Sequence, residues 1–270
     1  MIDTKDQVKV CLTIAGLDPS GGAGIIADIK TFTAFGCFAA AVVASVTFQN
    51  TTGVFGAVHQ TAGSVRGQTD PIFDDYSVSA VKTGMLPTRE IIEETAAIFA
   101  EREVRNLVVD PVVRSTSGYD LIDDTALAAV IERLFPLASL ITPNLQEAER
   151  ISRMTIVSRD DVIAAAGKMR EMGARNVLIK GGHFDPSLSS SPRAATDHLF
   201  LGDQLIELEG EYIETTSTHG TGCTLAAAIT AGLALGQDLD IAVRKAKDFV
   251  TQAIKTAPAL GRGHSPINIR

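Results

Sequence analysis

Val8-Lys9-Val10-Cys11-Leu12-Thr13-Ile14-Ala15-Gly16-Leu17-Asp18-Pro19-Ser20-Gly21-Gly22-Ala23-Gly24 decides the architecture. Val8–Ala15 is apolar on both faces, as a strand buried in a parallel sheet must be. The glycine-rich turn then runs into a helix-period segment, Ala23–Phe35. At such a junction glycines let a ligand approach the backbone, and the helix N-terminus offers free N–H donors. Gly-x-Gly-x-x-Gly does not occur and Pro19 interrupts the turn, which argues against a dinucleotide loop. Asp18 is read here as a fixed acceptor for a hydroxyl or amino group of a ligand. A glycine turn without a ligand is the plainer alternative.

Outward from this unit the alternation continues. Strands are predicted at Val8–Ala15, Ala40–Phe48, Val78–Thr83, Leu107–Val113, Leu140–Thr142 and Val177–Lys180. Helices fall between and after them: Ala23–Phe35, Thr88–Glu101, Asp124–Leu134, Leu145–Ile151, Arg159–Met172, Cys223–Leu235 and Ile241–Thr256. Ser158 with Asp161 reads as a capping box, and Gly173 ends that helix. This pattern implies a mostly parallel central sheet with helices on both faces, a three-layer α/β/α fold binding ligands beyond the carboxyl ends of its strands. His198–Leu201 and Gln204–Ile213 break the rhythm as an antiparallel hairpin. The Ser- and Pro-rich stretch 185–195 before it reads as a mobile loop. With no composition shift or repeat, residues 1–270 read as one domain.

Composition narrows the function. The 270 residues carry 24 Lys+Arg against 32 Asp+Glu, a net charge of −8, which disfavours nucleic acid or an anionic membrane as a partner. Three scattered cysteines supply neither a disulfide framework nor a zinc site and suit a reducing compartment. Residues 1–10 lack the layout of a signal peptide, and no apolar run is long enough to span a bilayer. A cytoplasmic location is expected.

Four further places along the chain carry chemistry. In Thr215–Thr224 the turn His219-Gly220-Thr221-Gly222-Cys223 opens an Ala-rich helix, so amides and helix dipole converge on an anion. No Lys follows these glycines, which excludes a Walker A loop. Cys223, in the first turn, is expected to have its thiolate favoured by the helix end; simple packing is the alternative. Asn144 caps the helix after Thr142-Pro143, and Glu147 faces back toward the sheet edge, where it and Asp110 are hard-oxygen donors for Mg²⁺. Lys180 ends another strand and is a cation suited to a polyphosphate. Together these read as phosphoryl transfer without a P-loop.

The ordered set of motifs resembles the hydroxymethylpyrimidine/phosphomethylpyrimidine kinases of the ribokinase-like superfamily. It comprises Gly16-x-Asp18 with Gly21–Gly24, Val46–Thr51, Lys82–Leu86, Asp110-Pro111-Val112, Thr142–Glu149, His219–Thr224 and the closing Gly263–Asn268. The resemblance implies an ATP- and Mg²⁺-dependent kinase acting on hydroxymethylpyrimidine and its monophosphate in thiamine biosynthesis, and a homodimer. It implies that Gln49 pairs with the aminopyrimidine edge and that Gly16, Asp18, Ala23 and Met85 line the pyrimidine pocket. Asp110, Asn144 and Glu147 would organise metal and phosphate, and Lys180 would neutralise charge. Gly220, Thr221, Gly222 and Cys223 would form the anion hole, with Cys223 at the base position. Leu17, Phe48 and the Arg114–Gly118 stretch depart from the family's usual residues. A pyridoxine or pyridoxal kinase, or an inactive pyrimidine-binding module, are the alternatives.

Overall fold

The computed structural model describes residues 8–115, 118–181 and 195–270. Its strands are β1 (Val10–Leu17), β2 (Phe38–Asn50), β3 (Gly53–His59), β4 (Val78–Thr83), β5 (Leu107–Val109), β6 (Leu140–Ile141), β7 (Asn176–Ile179), β8 (Asp197–Leu201) and β9 (Gln204–Leu208). Its helices are α1 (Gly24–Ala34), α2 (Ala62–Asp75), α3 (Arg89–Glu101), α4 (Asp124–Ala129), α5 (Leu145–Ser152), α6 (Arg159–Glu171), α7 (Thr221–Ala234) and α8 (Leu239–Lys255). All nine described strands form one sheet in the order β3-β2-β1-β4-β5-β6-β7-β8-β9. The six from β2 to β7 run parallel; β3 and β8 run against them, and β9, antiparallel to β8, runs with them again. From β1 the chain moves outward to β2 and then returns to β4 on the other side. That reversal makes the carboxyl end of β1 the topological switch point, where open α/β sheets bind ligands.

Both faces of the sheet's centre are covered, which is why β5 and β6 are apolar throughout. Leu107, Val109, Ile141, Val177 and Ile179 pack with residues of α2 to α6. Val108, Leu140 and Leu178 point the other way, against α7 and α8. Phe32 of α1 joins Cys11, Cys37 and the alanines Ala227, Ala231 and Ala234 of α7 on that second face. Small residues there let α7 lie close to the sheet and set its N-terminus at the carboxyl edge.

Several predicted elements differ in extent. β5 stops at Val109, so Asp110 to Val113 leave the sheet as loop. The helix expected over Asp124–Leu134 becomes a π turn at Val130–Leu134. β9 ends at Leu208, short of Ile213. Ser158 caps α6 as expected, its Oγ accepting Asp161 N–H at 3.2 Å, and Asp161 also accepts from Val157 N–H and the Ser158 hydroxyl. Of the expected 185–195 loop, 185–194 lie outside the described residues.

Two elements have no counterpart in the sequence reading. β3 is an edge strand whose glycines and exposed Phe55 and Val58 hide its period. α2 contains Gly63, Gly67 and Pro71, and only Val65 and Thr69 are buried. Pro71 cannot donate to the Gly67 carbonyl. Tertiary ion pairs compensate: Arg66 reaches Glu94 and Glu101 of α3, while Arg102 bridges Asp70 and Asp74. No helix among the described residues is long and apolar enough to cross a membrane.

Candidate active site

At the switch point, the turn after β1 is organised by Asp18. One carboxylate oxygen accepts from Ser20 N–H at 2.8 Å; the other accepts from Ala23 N–H at 2.9 Å and faces His219 Nε2 at 2.8 Å. Burial works against its charge, but the bonds from His219 and Ser20 hold the carboxyl below its ordinary range. Asp18 is at 1% exposure, and both its oxygens already hold donors of the protein itself. It ties the first loop to the turn before α7. Gly16 faces Met85 beside it: a methyl on Gly16 would lie 3.2 Å from the Met85 sulfur. Ala23 caps α1 in extended conformation.

The turn before α7 packs directly on that loop. Gly220 is the helix N-cap with φ +84°, and a Cβ there would overlap the Gly22 carbonyl. Only glycine meets both demands. Thr221, Gly222 and Cys223 form the first turn, so the Gly222 and Cys223 amides have no acceptor inside the helix. The expected lowering of the Cys223 pKa is corrected here. Burial comes first, with Asp28 and Asp110 adding repulsion; together they outweigh Lys82 and the Gly24 N–H and push the thiol up to about 11. Helix-end attraction is too weak to offset enclosure beside two carboxylates. The residue keeps intermediate exposure, whereas Cys11 and Cys37 are buried.

Across the turn, β5, β6 and β7 end in a cluster of charge. Lys180 Nζ donates to Asp110 at 3.0 Å and lies 3.9 Å from Glu147. Thr142 donates its hydroxyl to the same Asp110 oxygen at 3.0 Å. Asn144 and Glu147 form a reciprocal capping box at the start of α5, each accepting the other's N–H. Capping and site roles thus fall on the same residues. Burial, with repulsion from Asp110, pushes Glu147 up to about 7 despite Lys180. Burial lowers Lys180, and the two carboxylates raise it by more. A methyl on Gly222 would sit 3.3 Å from Lys180 Nζ and 3.9 Å from Asp110 Oδ2, so the turn and this cluster enclose one space. The described residues hold no group of three or more metal-ligating side chains. The two carboxylates still fit Mg²⁺, which usually keeps several waters and binds through one or two carboxylates plus phosphate oxygens.

Beneath the turn Lys82, which opens the Lys82–Leu86 motif, is paired with Asp28. Lys82 of β4 donates to both oxygens of Asp28 in α1, at 3.0 and 2.8 Å, and Thr13 donates a third bond at 2.7 Å. Both charged side chains are at 0% exposure. Burial pushes Asp28 up; burial also draws Lys82 down, but Asp28, Cys223 and Asp110 raise it by more. The bidentate contact supports the charged lysine. A Lys inside the strand Val78–Thr83, predicted to be buried, was the available signal, since a buried lysine must find an anion.

Gln49 stands apart from these groups, on β2 at a bulge opposite Val54 in the β2–β3 hairpin.

The sequence profile described as phosphomethylpyrimidine kinase matches residues 18–268. The hydroxymethylpyrimidine/phosphomethylpyrimidine kinase of Haemophilus influenzae is 42% identical over 263 residues, 97% of each chain. The thiamine biosynthesis bifunctional protein ThiED of Geobacter sulfurreducens is 44% identical over 257 residues; these are 95% of this chain and 51% of that protein, so the chain spans about half its length. Among solved structures, the ADP complex of Bacillus subtilis pyridoxal kinase superposes with a TM-score of 0.87 at 38% identity, covering 97% of both chains. The chain is a ribokinase-like α/β protein and belongs to the phosphomethylpyrimidine kinase family.

Proposed function

We propose that this chain, as one domain over residues 1–270, transfers the γ-phosphoryl group of ATP to hydroxymethylpyrimidine and then to its monophosphate, for thiamine biosynthesis. One observation carries this reading: the free amides of Gly222 and Cys223, the Lys180 cation and the Asp110–Glu147 carboxylates border one space. Phosphoryl transfer is catalysed chiefly by positioning and by stabilising charge on the phosphoryl oxygens. The turn amides and Lys180 supply that stabilisation. Mg²⁺, held through water by Asp110 and Glu147, would neutralise polyphosphate charge. The acceptor hydroxymethyl group enters from the Gly16–Ala23 and Met85 side, oriented by Gln49, and loses its proton to Cys223. The oxygen–phosphorus bond to the acceptor forms as the bond to ADP breaks. The same reading makes the protein a cytoplasmic homodimer.

Purified protein should release ADP in proportion to added hydroxymethylpyrimidine, and slowly without it. Faster turnover of pyridoxal would instead favour the vitamin chemistry named for the Bacillus structure. Binding of the pyrimidine without any ADP release would identify an inactive binding module.

Two variants probe the two ends. Gln49→Ala leaves the base's hydrogen-bonding edge unpaired, which costs about 1–3 kcal/mol, or roughly five- to a hundred-fold in kcat/KM for the pyrimidine. Its KM for ATP should not move; unchanged pyrimidine kinetics would remove Gln49 from the site. Glu147→Gln preserves the capping box while removing a charge. The Mg²⁺ concentration for half-maximal rate should rise roughly tenfold, and an unshifted Mg²⁺ titration would leave Glu147 a helix cap only.

A further inference from the structure

The closing stretch Leu260–Asn268 has no part in the chemistry above, yet it touches both halves of the site. It is anchored at its end: Ser265 and Ile267 are buried, and Asn268 N–H donates to the Ala253 carbonyl of α8 at 3.0 Å. Ser265 Oγ accepts Leu260 N–H at 2.8 Å and closes the stretch into a fixed loop.

One side of this loop grips the tip of the β2–β3 hairpin. His264 N–H donates to the Thr51 carbonyl at 2.7 Å. Arg262 and Gly263 N–H approach Thr51 Oγ1 at 3.3 and 3.4 Å. A Cβ on Gly263 would overlap the Thr51 carbonyl, so the approach requires glycine. The other side holds the phosphate turn. His264 Nδ1 is 3.2 Å from the Thr218 hydroxyl, and the Ser265 carbonyl accepts His219 N–H at 3.2 Å. His219 continues to Asp18.

The hairpin needs such a tie. β1 ends at Leu17, opposite Val46, so beyond that point β2 has only β3 as a sheet neighbour. Thr47 makes the last side-chain contact with β1, donating to the Leu17 carbonyl at 2.9 Å. Gln49 lies in the two-stranded overhang, interrupted by the Phe48/Gln49 bulge. An isolated two-stranded hairpin is marginally stable in water.

We infer that Leu260–Asn268 is a strap that clamps the overhanging hairpin to the phosphate turn, making Thr51 and Gly263 positioning residues for Gln49. The inference rests on the reading of Gln49 as the contact to the pyrimidine. It makes acceptor affinity depend on residues that touch no substrate.

The test compares Gly263→Ala, Thr51→Val and Thr51→Ser with the parent protein. Amide hydrogen exchange over residues 48–56 is read without ligand, and KM for hydroxymethylpyrimidine and ATP with turnover. Gly263→Ala should speed hairpin exchange roughly tenfold or more and raise the pyrimidine KM by a similar factor, with kcat and the ATP KM within about twofold. Thr51→Val should shift both readouts in the same sense by roughly two- to tenfold, and Thr51→Ser, which keeps the hydroxyl, should restore them. Parent-like exchange and pyrimidine KM in well-folded Gly263→Ala and Thr51→Val would overturn the strap. So would equal rises in both KM values, which mark general loosening. If the parent does not use the pyrimidine at all, the functional reading fails, while the exchange measurement still decides the strap.

Discussion

A Cys223→Ser variant should lose roughly a hundredfold in kcat at pH 9, while keeping its melting temperature and its KM for the pyrimidine. With the thiol pushed up to about 11 by burial and by Asp28 and Asp110, only about one molecule in a thousand carries the thiolate at pH 8. The sign follows directly. If the thiolate takes the acceptor's proton, parent kcat should climb about tenfold per pH unit between 7 and 10, then level near 11. A serine hydroxyl does not ionise in this range, so the variant's profile should be flat and the gap should widen with pH. Iodoacetamide should inactivate the parent along the same rising profile, since Cys223 keeps intermediate exposure while Cys11 and Cys37 are buried. Bound pyrimidine with ATP should protect it. A flat parent profile, or a Cys223→Ser variant with near-normal kcat at pH 9, would defeat the base assignment and leave the turn amides as the chemical content of the motif.

Lys82→Met should be the most damaging substitution for stability. It removes the partner of Asp28 and leaves an uncompensated carboxylate at 0% exposure. Breaking a buried pair from one side costs about 3–5 kcal/mol. At about 2–4 °C per kcal/mol for a chain of this size class, melting should fall by roughly 6–20 °C. Replacing both partners, Asp28→Leu with Lys82→Met, removes both charges and should recover most of that loss, because apolar replacement of a buried pair is often neutral. Calorimetry on the two variants reads this directly. A Lys82→Met melting point within about 1 °C of the parent would mean that water or another cation already satisfies Asp28.

By itself the sequence determined the layering and the positions of the loops that bear chemistry. Runs such as Val78–Thr83 and Leu107–Val109 become strands because both faces are covered, and polar or glycine-bearing loops such as Gly84 and Asp110-Pro111 follow them where the backbone leaves the sheet. Asn144 with Glu147 was legible as a helix start because capping needs only neighbouring residues. The edge strand β3 and helix α2 were hidden, since glycines and Pro71 erase the period that local reading depends on. Tertiary structure alone paired Lys82 with Asp28 across 54 positions and His219 with Asp18 across 201. It also made Asp18 a tie between the first loop and the turn before α7, and brought the closing segment onto Thr51. The Cys223 thiol shows the physical reason most plainly. Local sequence places it at a helix end that favours the anion, but its proton affinity is set by desolvation and by carboxylates from distant strands and helices. Periodicity and capping record short-range backbone preference; enclosure and charge proximity exist only once the chain has closed on itself.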